Sequence, residues 1–431
     1  MSCDFRTLSG EALRSVYEAL RAQYETIKEE GLSLDMSRGK PSPRQLGFSD
    51  AMLTALADSE DCKTADGFDT RNYGLPNGVP ELSRIMAELL GVHENEIILG
   101  GNSSLTMMYD AVCRAMFFGT DGVSAPWKDG GTVKFLCPAP GYDRHFAITE
   151  RFGVEMVPVP MTGHGPDMDT VEALVQSDAS IKGMWCVPKY SNPTGETYSG
   201  ETVRRIASLR PAAPDFRVFW DMAYALHDLD DTPDELLNIF ALTRGTENEN
   251  LVLGFFSTSK ITYAGAGVAM MISGADNVKR ARAEIAYQTI SPDKMNQLRH
   301  ARYLASADNV RALMRRHASV LKPKFDTVTR VFREEFSDCG FASWTEPHGG
   351  YFLSLDVLPG TARRTVELCK NVGVTLAPAG STYPYKRDPE DKNIRIAPSY
   401  PELHELETAM GVVCTCAKLA AAEKLLEQTN A

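Results

Sequence analysis

Apolar positions 13, 16, 17, 20 and 24 recur at helical spacing, and Leu8-Ser9-Gly10-Glu11 stands where such a helix would begin. Residues 36–43 follow, a polar stretch with Pro41 and Pro43 too close together for regular structure. From residue 80 the pattern alternates. A helical run over 80–90 leads into a short apolar strand at 96–99, and Gly100-Gly101 then opens another helix. Further short apolar runs lie at 133–137, 154–159, 183–187, 217–220 and 251–256, most of them followed by turn residues and a helical pattern. Strands alternating with helices predict a mostly parallel sheet covered on both faces. After residue 300 the character changes. One long charged helix is expected over 301–336, strands at 349–355 and 393–397, and a terminal helix over 401–427. The fold class is therefore α/β. The division expected is a large, mostly parallel α/β/α domain over 50–310 and a smaller α+β domain from 1–49 and 311–431.

Composition narrows the function classes. With 431 residues, 43% of them hydrophobic and 24% charged, the chain can bury a sizeable core. A net charge of −12 speaks against sequence-independent nucleic-acid binding, which needs Lys and Arg to neutralise phosphates. No run reaches the ~18 apolar residues of a membrane span. The opening MSCDFRTLSGEALR lacks the basic-then-apolar order of a secretion signal. Nine scattered cysteines without a C-x-x-C fit reduced thiols and a cytoplasmic location. Cys414 and Cys416 have no partner pair, and no histidines stand at ligand spacing, so no metal is expected.

Four stretches carry candidate chemistry. In Leu251–Lys260 an apolar run ends in Ser257-Thr258-Ser259-Lys260, placing a lysine at a strand's carboxyl end, where open α/β sheets bind ligands. Burial there makes its amine nucleophilic; the plainer alternative is an ammonium reaching water. In Phe219-Trp220-Asp221-Met222-Ala223-Tyr224 a carboxylate closes a strand, suited either to a cationic ring nitrogen or to capping the next turn. Around Asn192, two prolines and Gly195 make a stiff loop that can hold an amide at a fixed point, or an ordinary turn. Gly100-Gly101-Asn102-Ser103-Ser104 offers backbone N–H groups at a helix start, a phosphate site or a Ser-capped turn. The third glycine of G-x-G-x-x-G is missing here and at Gly265-Ala266-Gly267, so a dinucleotide site is poorly supported.

In order, the motifs S-R-G-K-P, N-Y-G-L-P-N-G, G-G-N-S-S-L, S-N-P-T-G-E, D-M-A-Y, S-T-S-K-I-T and I-R-I-A-P run from Ser37 to Pro398. In them the chain resembles the fold-type-I aminotransferases that use pyridoxal 5'-phosphate, in their aspartate-aminotransferase-like branch. The resemblance implies that Lys260 holds the cofactor as a Schiff base and, once released by the substrate amine, shuttles a proton between the substrate α-carbon and the cofactor. It implies that Asp221 pairs with the pyridinium nitrogen, that Asn192 and Tyr224 donate to the phenolate oxygen, and that Tyr142 stacks on the ring. Gly101, Asn102, Ser103 and Ser257 would hold the phosphate, with Tyr73 reaching it from a neighbouring subunit of a homodimer with shared sites. Arg395 would bind the substrate α-carboxylate bidentately, and Gly39 would lie against the substrate. One departure stands out: relatives carry a phosphate-binding arginine eight residues after the lysine, where this chain has Val268.

The activity implied is amino transfer from an amino acid, aspartate favoured, to a 2-oxo acid such as 2-oxoglutarate. A dicarboxylic donor needs a second cation, for which the sequence offers Arg38, Lys40 and Arg299. Two rivals remain: another reaction of the same cofactor, such as aromatic or kynurenine transamination, C–S lysis or decarboxylation, and an aminotransferase-like effector sensor. The sensor would carry an added basic DNA-binding domain, and the acidic stretch before residue 100 shows no basic helix-turn-helix.

Overall fold

The structure, a computed structural model, describes residues 4–120 and 122–429. Its centre is a seven-stranded sheet. The strands lie in the order Ile97–Leu99, Ala269–Ile272, Val252–Ser257, Arg217–Asp221, Ile181–Cys186, Lys134–Ala139 and Glu155–Pro160. Ala269–Ile272 runs antiparallel to both its neighbours, and the remaining pairings are parallel. Side chains alternate between two covering layers, as period-2 geometry requires. Leu136, Met184, Val218 and Val252 pack on one face, and Phe135, Trp185, Phe219 and Phe255 on the other. Ala269–Ile272 is absent from the sequence reading. At four residues after a glycine-rich turn, it offers too short a run to stand out.

The helices follow their end signals. Ser9 caps Gly10–Glu29 by accepting from the Ala12 N–H, and Pro80 opens Pro80–Leu90, which closes on a left-handed Gly91. The single helix expected over 301–336 is two, Lys294–Leu304 and Ala307–Phe336. Ala305 takes φ 58° between them, and the Ser306 side chain restarts the chain by capping the Asn309 N–H. The strand expected over 349–355 begins only at Leu353. Gly349 and Gly350 instead pass directly over Tyr190, where a Cβ on Gly349 would come within 2.1 Å of its ring.

Leu353–Asp356 is the middle of a three-stranded antiparallel sheet, between Asn393–Ile396 and Ser343–Trp344. One apolar cluster joins this sheet to Gly10–Glu29, the second half of Ala307–Phe336 and the C-terminal helix Leu403–Thr429. The eight described cysteines are free thiols, all buried but Cys113; Cys3 lies outside the described residues. Among the described residues no helix is long and apolar enough to cross a membrane.

The site follows from this register. Ile181–Cys186, Arg217–Asp221 and Val252–Ser257 are parallel neighbours, with Cys186 opposite Trp220 and Asp221 opposite Phe255. Their carboxyl ends therefore present the Asn192 loop, Asp221 and the Lys260 turn side by side.

Candidate active site

Lys260 ends a single 3-10 turn, Thr258–Lys260, at the end of its strand. The Ser257 hydroxyl caps the turn by accepting from the Ser259 N–H at 3.2 Å. The ammonium lies 4.9 Å from the centre of the Tyr224 ring. Burial lowers its pKa below the ordinary lysine value, opposed by the Asp221 charge. His227 packs behind it, with Nε2 3.3 Å from the Lys260 carbonyl oxygen. Burial first, and the Lys260 charge second, push this imidazole down to about 3, so it is neutral and Nε2–H donates.

Asp221 is the last residue of its strand and 3% exposed. Oδ1 accepts from the Ala223 N–H at 3.1 Å, so the carboxylate does shape the following turn. Oδ2 lies 3.1 Å from Nε2 of His145, a ring stacked on Trp185 with centroids 4.4 Å apart. Among the described residues no lysine or arginine forms an ion pair with Asp221. A buried carboxylate facing only an imidazole and an amide leaves room for a cationic partner. Tyr142 meets His145 edge-on at 4.9 Å. Tyr224 is buried, and burial raises its phenol well above the ordinary value, so it stays a neutral donor.

At the other end of the pocket Ser103 N-caps the helix Ser104–Phe118, but its side chain makes no capping bond. The helix N–H groups and the serine hydroxyl are thereby left for an anion. A Cβ on Gly101 would meet nothing within 4 Å, so the turn opens onto space. Asn102 stands over it, its carbonyl accepting from the Ser257 hydroxyl at 3.3 Å and the Ser259 hydroxyl at 3.0 Å.

Arg395 comes from the small sheet, opposite Ser354, and is 9% exposed. Its Nη1 donates to Asp143 Oδ1 at 3.0 Å and to Asn192 Oδ1 at 3.3 Å. The guanidinium carbon lies 5.0 Å from the centre of the Phe352 ring, against which Gly39 is pressed so closely that a Cβ would come within 2.5 Å. Around Tyr224 and Asn192 the fold thus gathers a half-buried amine, a buried carboxylate and a buried guanidinium, with a helix N-terminus beyond Ser257. The sequence pattern of the family described as aspartate amino-transferase matches residues 8–429.

The chain belongs to the aspartate aminotransferase family. A putative aminotransferase of Mycolicibacterium smegmatis is 49% identical over 98% of this chain and 99% of its own. An aspartate aminotransferase of Corynebacterium glutamicum is 47% identical over 98% of this chain and 97% of its own. The crystal structure of an aspartate transaminase from Corynebacterium glutamicum superposes with a TM-score of 0.96, covering 99% of this chain and 100% of that one. The protein is an aminotransferase of the fold type I that its motifs resemble.

Within this aminotransferase, the chain brings Lys260, Asp221, Tyr224, Asn192, Tyr142 and Arg395 into one linked set. Tyr73 stands apart on an exposed loop, and among the described residues it makes no hydrogen bond or ring contact with the others. Lys40 lies 3.8 Å over the Tyr400 ring, Arg299 donates to Asn296 at 2.6 Å, and Arg38 is exposed. Position 268 does not face the phosphate turn. Val268 points into the apolar core, and its N–H donates to the Thr258 hydroxyl at 2.8 Å. Gly267 backs onto Ser259, whose hydroxyl donates to the Asn102 carbonyl of the phosphate turn. His145, Asp143 and Ser259 are the residues sequence reasoning missed. The first two follow Tyr142 within one helical turn, and that spacing was the available signal.

Proposed function

We propose that this aminotransferase carries pyridoxal 5'-phosphate on Lys260 and moves the amino group of aspartate to 2-oxoglutarate. The observation that carries the reading is the convergence of Lys260, Asp221 and Arg395 around Tyr224 from separate elements. The residues fit the cofactor. Asp221 is a buried carboxylate that, among the described residues, no lysine or arginine pairs, suited to a protonated ring nitrogen. The helix N-terminus at Ser103, the open face of Gly101, Asn102 and the hydroxyls of Ser257 and Ser259 suit a phosphate.

When bound, the cofactor supplies an aldehyde that takes the amino group and a ring that accepts electron density from the substrate α-carbon. The chain does the rest. Asp221, oriented by His145, keeps a proton on the ring nitrogen. Asn192 and Tyr224 donate toward the phenolate oxygen, and Tyr142 covers the ring. The Lys260 amine, neutral more readily than an exposed lysine, would take the proton from the substrate α-carbon and pass it to the cofactor, so that the amino group stays behind when the 2-oxo acid leaves. Arg395 binds the α-carboxylate of donor and acceptor in turn, so the donor leaves as its 2-oxo acid before the acceptor enters. Arg38, Lys40 or Arg299 supplies the second cation for a dicarboxylate.

The same reading makes the protein a cytoplasmic homodimer in which Tyr73 reaches the neighbouring site. The exposure of its ring, and of the apolar side chains of Tyr287 and Ile290, supports this. Residues 50–310 form the cofactor-binding domain, and 1–49 with 311–431 the small one. Comparing kcat/KM for aspartate, glutamate, alanine, phenylalanine and kynurenine tests the assignment. The expected result is aspartate first, with one 2-oxo acid formed per amino group and no ammonia. A preference of about tenfold for alanine or phenylalanine overturns the donor and leaves amino transfer intact.

A further inference from the structure

We infer that Asp143 is a positioning residue for the substrate: it pins Arg395 through one guanidinium nitrogen so that the opposite edge receives the α-carboxylate. The inference rests on the reading of Arg395 as the carboxylate clamp. Both internal acceptors, Asp143 Oδ1 at 3.0 Å and Asn192 Oδ1 at 3.3 Å, take the same nitrogen, Nη1. Nε is buried and has no hydrogen-bond partner. The edge formed by Nε and Nη2 is the one a carboxylate grips with two parallel bonds, so the chain has reserved it. A buried donor left unpaired is costly unless a ligand completes it.

Asp143 is itself held rigidly. It is the first residue of the helix Asp143–Arg151, where a carboxylate is favoured by the exposed N–H groups. Two residues earlier, the Gly141 N–H donates to the Thr382 carbonyl at 2.7 Å, and the Thr382 hydroxyl donates to Asn393 at 2.8 Å. Asn393 and Arg395 are two apart on one strand and so share a face. The helix start and the arginine are therefore tied to the same strand at two points. Phe352 fixes the plane of the guanidinium from its face. Holding a long arginine in one rotamer before substrate arrives removes an ordering cost from binding.

The opposite role, an internal anion that competes with substrate, predicts the opposite sign. A competitor leaves and affinity rises when it is removed; a positioning group is lost and affinity falls. The test uses cofactor-loaded protein. Asp143→Ala is expected to raise KM for both the amino donor and the 2-oxo acid about tenfold and to weaken calorimetric binding of succinate equally, with kcat changed far less. Asp143→Asn keeps the acceptor oxygen without the charge and should restore most of the affinity. Asp143→Ser, short but still suited to the helix start, is the second truncation should the alanine variant fold poorly. Unchanged or tighter succinate binding in the truncations overturns the inference. Arg395→Ala serves as the control: loss of succinate binding supports the clamp, whereas unchanged binding removes the reading and the inference together.

Discussion

Gly267 lies against Ser259 so closely that a Cβ would stand 2.6 Å from the serine Oγ and 2.8 Å from its backbone nitrogen. The Ser259 hydroxyl is in turn 2.7 Å from that of Ser257 and donates to the Asn102 carbonyl at 3.0 Å. Ser259 thus joins the Gly267 loop to the turn that carries Asn102. Gly267→Ala should therefore destabilise the protein by about 1–3 kcal/mol, since the clash is with backbone. Gly267→Arg should cost more and weaken retention of the cofactor. Thermal unfolding with and without pyridoxal phosphate measures both. An arginine variant that held the cofactor as tightly as the parent would mean that the loop yields and the cradle lies elsewhere.

That loop also marks where legibility ended. Strand ends and motif order located Lys260, Asp221 and Asn192, because a lysine or carboxylate closing an apolar run is visible in one stretch of chain. At Val268, eight residues after Lys260, the sequence shows an apolar residue in place of an arginine, and only the fold shows that it packs into the core. His145 and Asp143 went unseen for another reason. Their partners, Asp221 and Arg395, lie 76 and 252 positions away. Their closeness to Tyr142 is the one local hint, and it does not name those partners. The break at Ala305 is similar: helical spacing continues on both sides, and the Ser306 cap reads from the sequence as one more polar helical position.

Lys260→Ala should fold, bind pyridoxal phosphate without a covalent bond, and lose multiple turnover, because the amine beside Tyr224 and Asp221 is then gone. Borohydride treatment of the parent followed by peptide mapping should find the cofactor on Lys260. Labelling of another lysine would contradict the assignment. Burial lowers the pKa of this amine, so in cofactor-free protein it should react with an acylating reagent at a lower pH than exposed lysines do.

Glu196, in the loop that carries Asn192, gives a pH-dependent stability of definite sign. Its Oε1 is buried without a partner. Burial raises its pKa from 4.5 to about 7, against the lowering effect of the Gly163 and Gly165 N–H groups. Between those values the folded chain holds a proton that the unfolded chain has released. The contribution is thus fully present below 4.5 and lost as pH rises through 7. Glu196→Gln should raise the melting temperature relative to the parent at pH 8 and change it little at pH 5. An equal shift at both pH values would show that the carboxyl is ionised throughout.

Tyr73 tests whether two chains build each site. Its ring is 72% exposed, an unusual position for a group expected to touch a phosphate, unless the phosphate belongs to the neighbouring subunit. Tyr73→Ala and Lys260→Ala should each be nearly inactive as pure proteins. In a hybrid dimer, the site containing the intact Lys260 receives an intact Tyr73 from the other chain, and the second site lacks both. With random exchange of equal amounts, half of the dimers are hybrids with one working site each, so activity should return to about a quarter of the parent. If instead Tyr73 serves the site of its own chain, every site in the mixture lacks one of the two groups. Activity then stays at the level of the separate variants after exchange has been confirmed by mass, and the shared-site assembly is excluded.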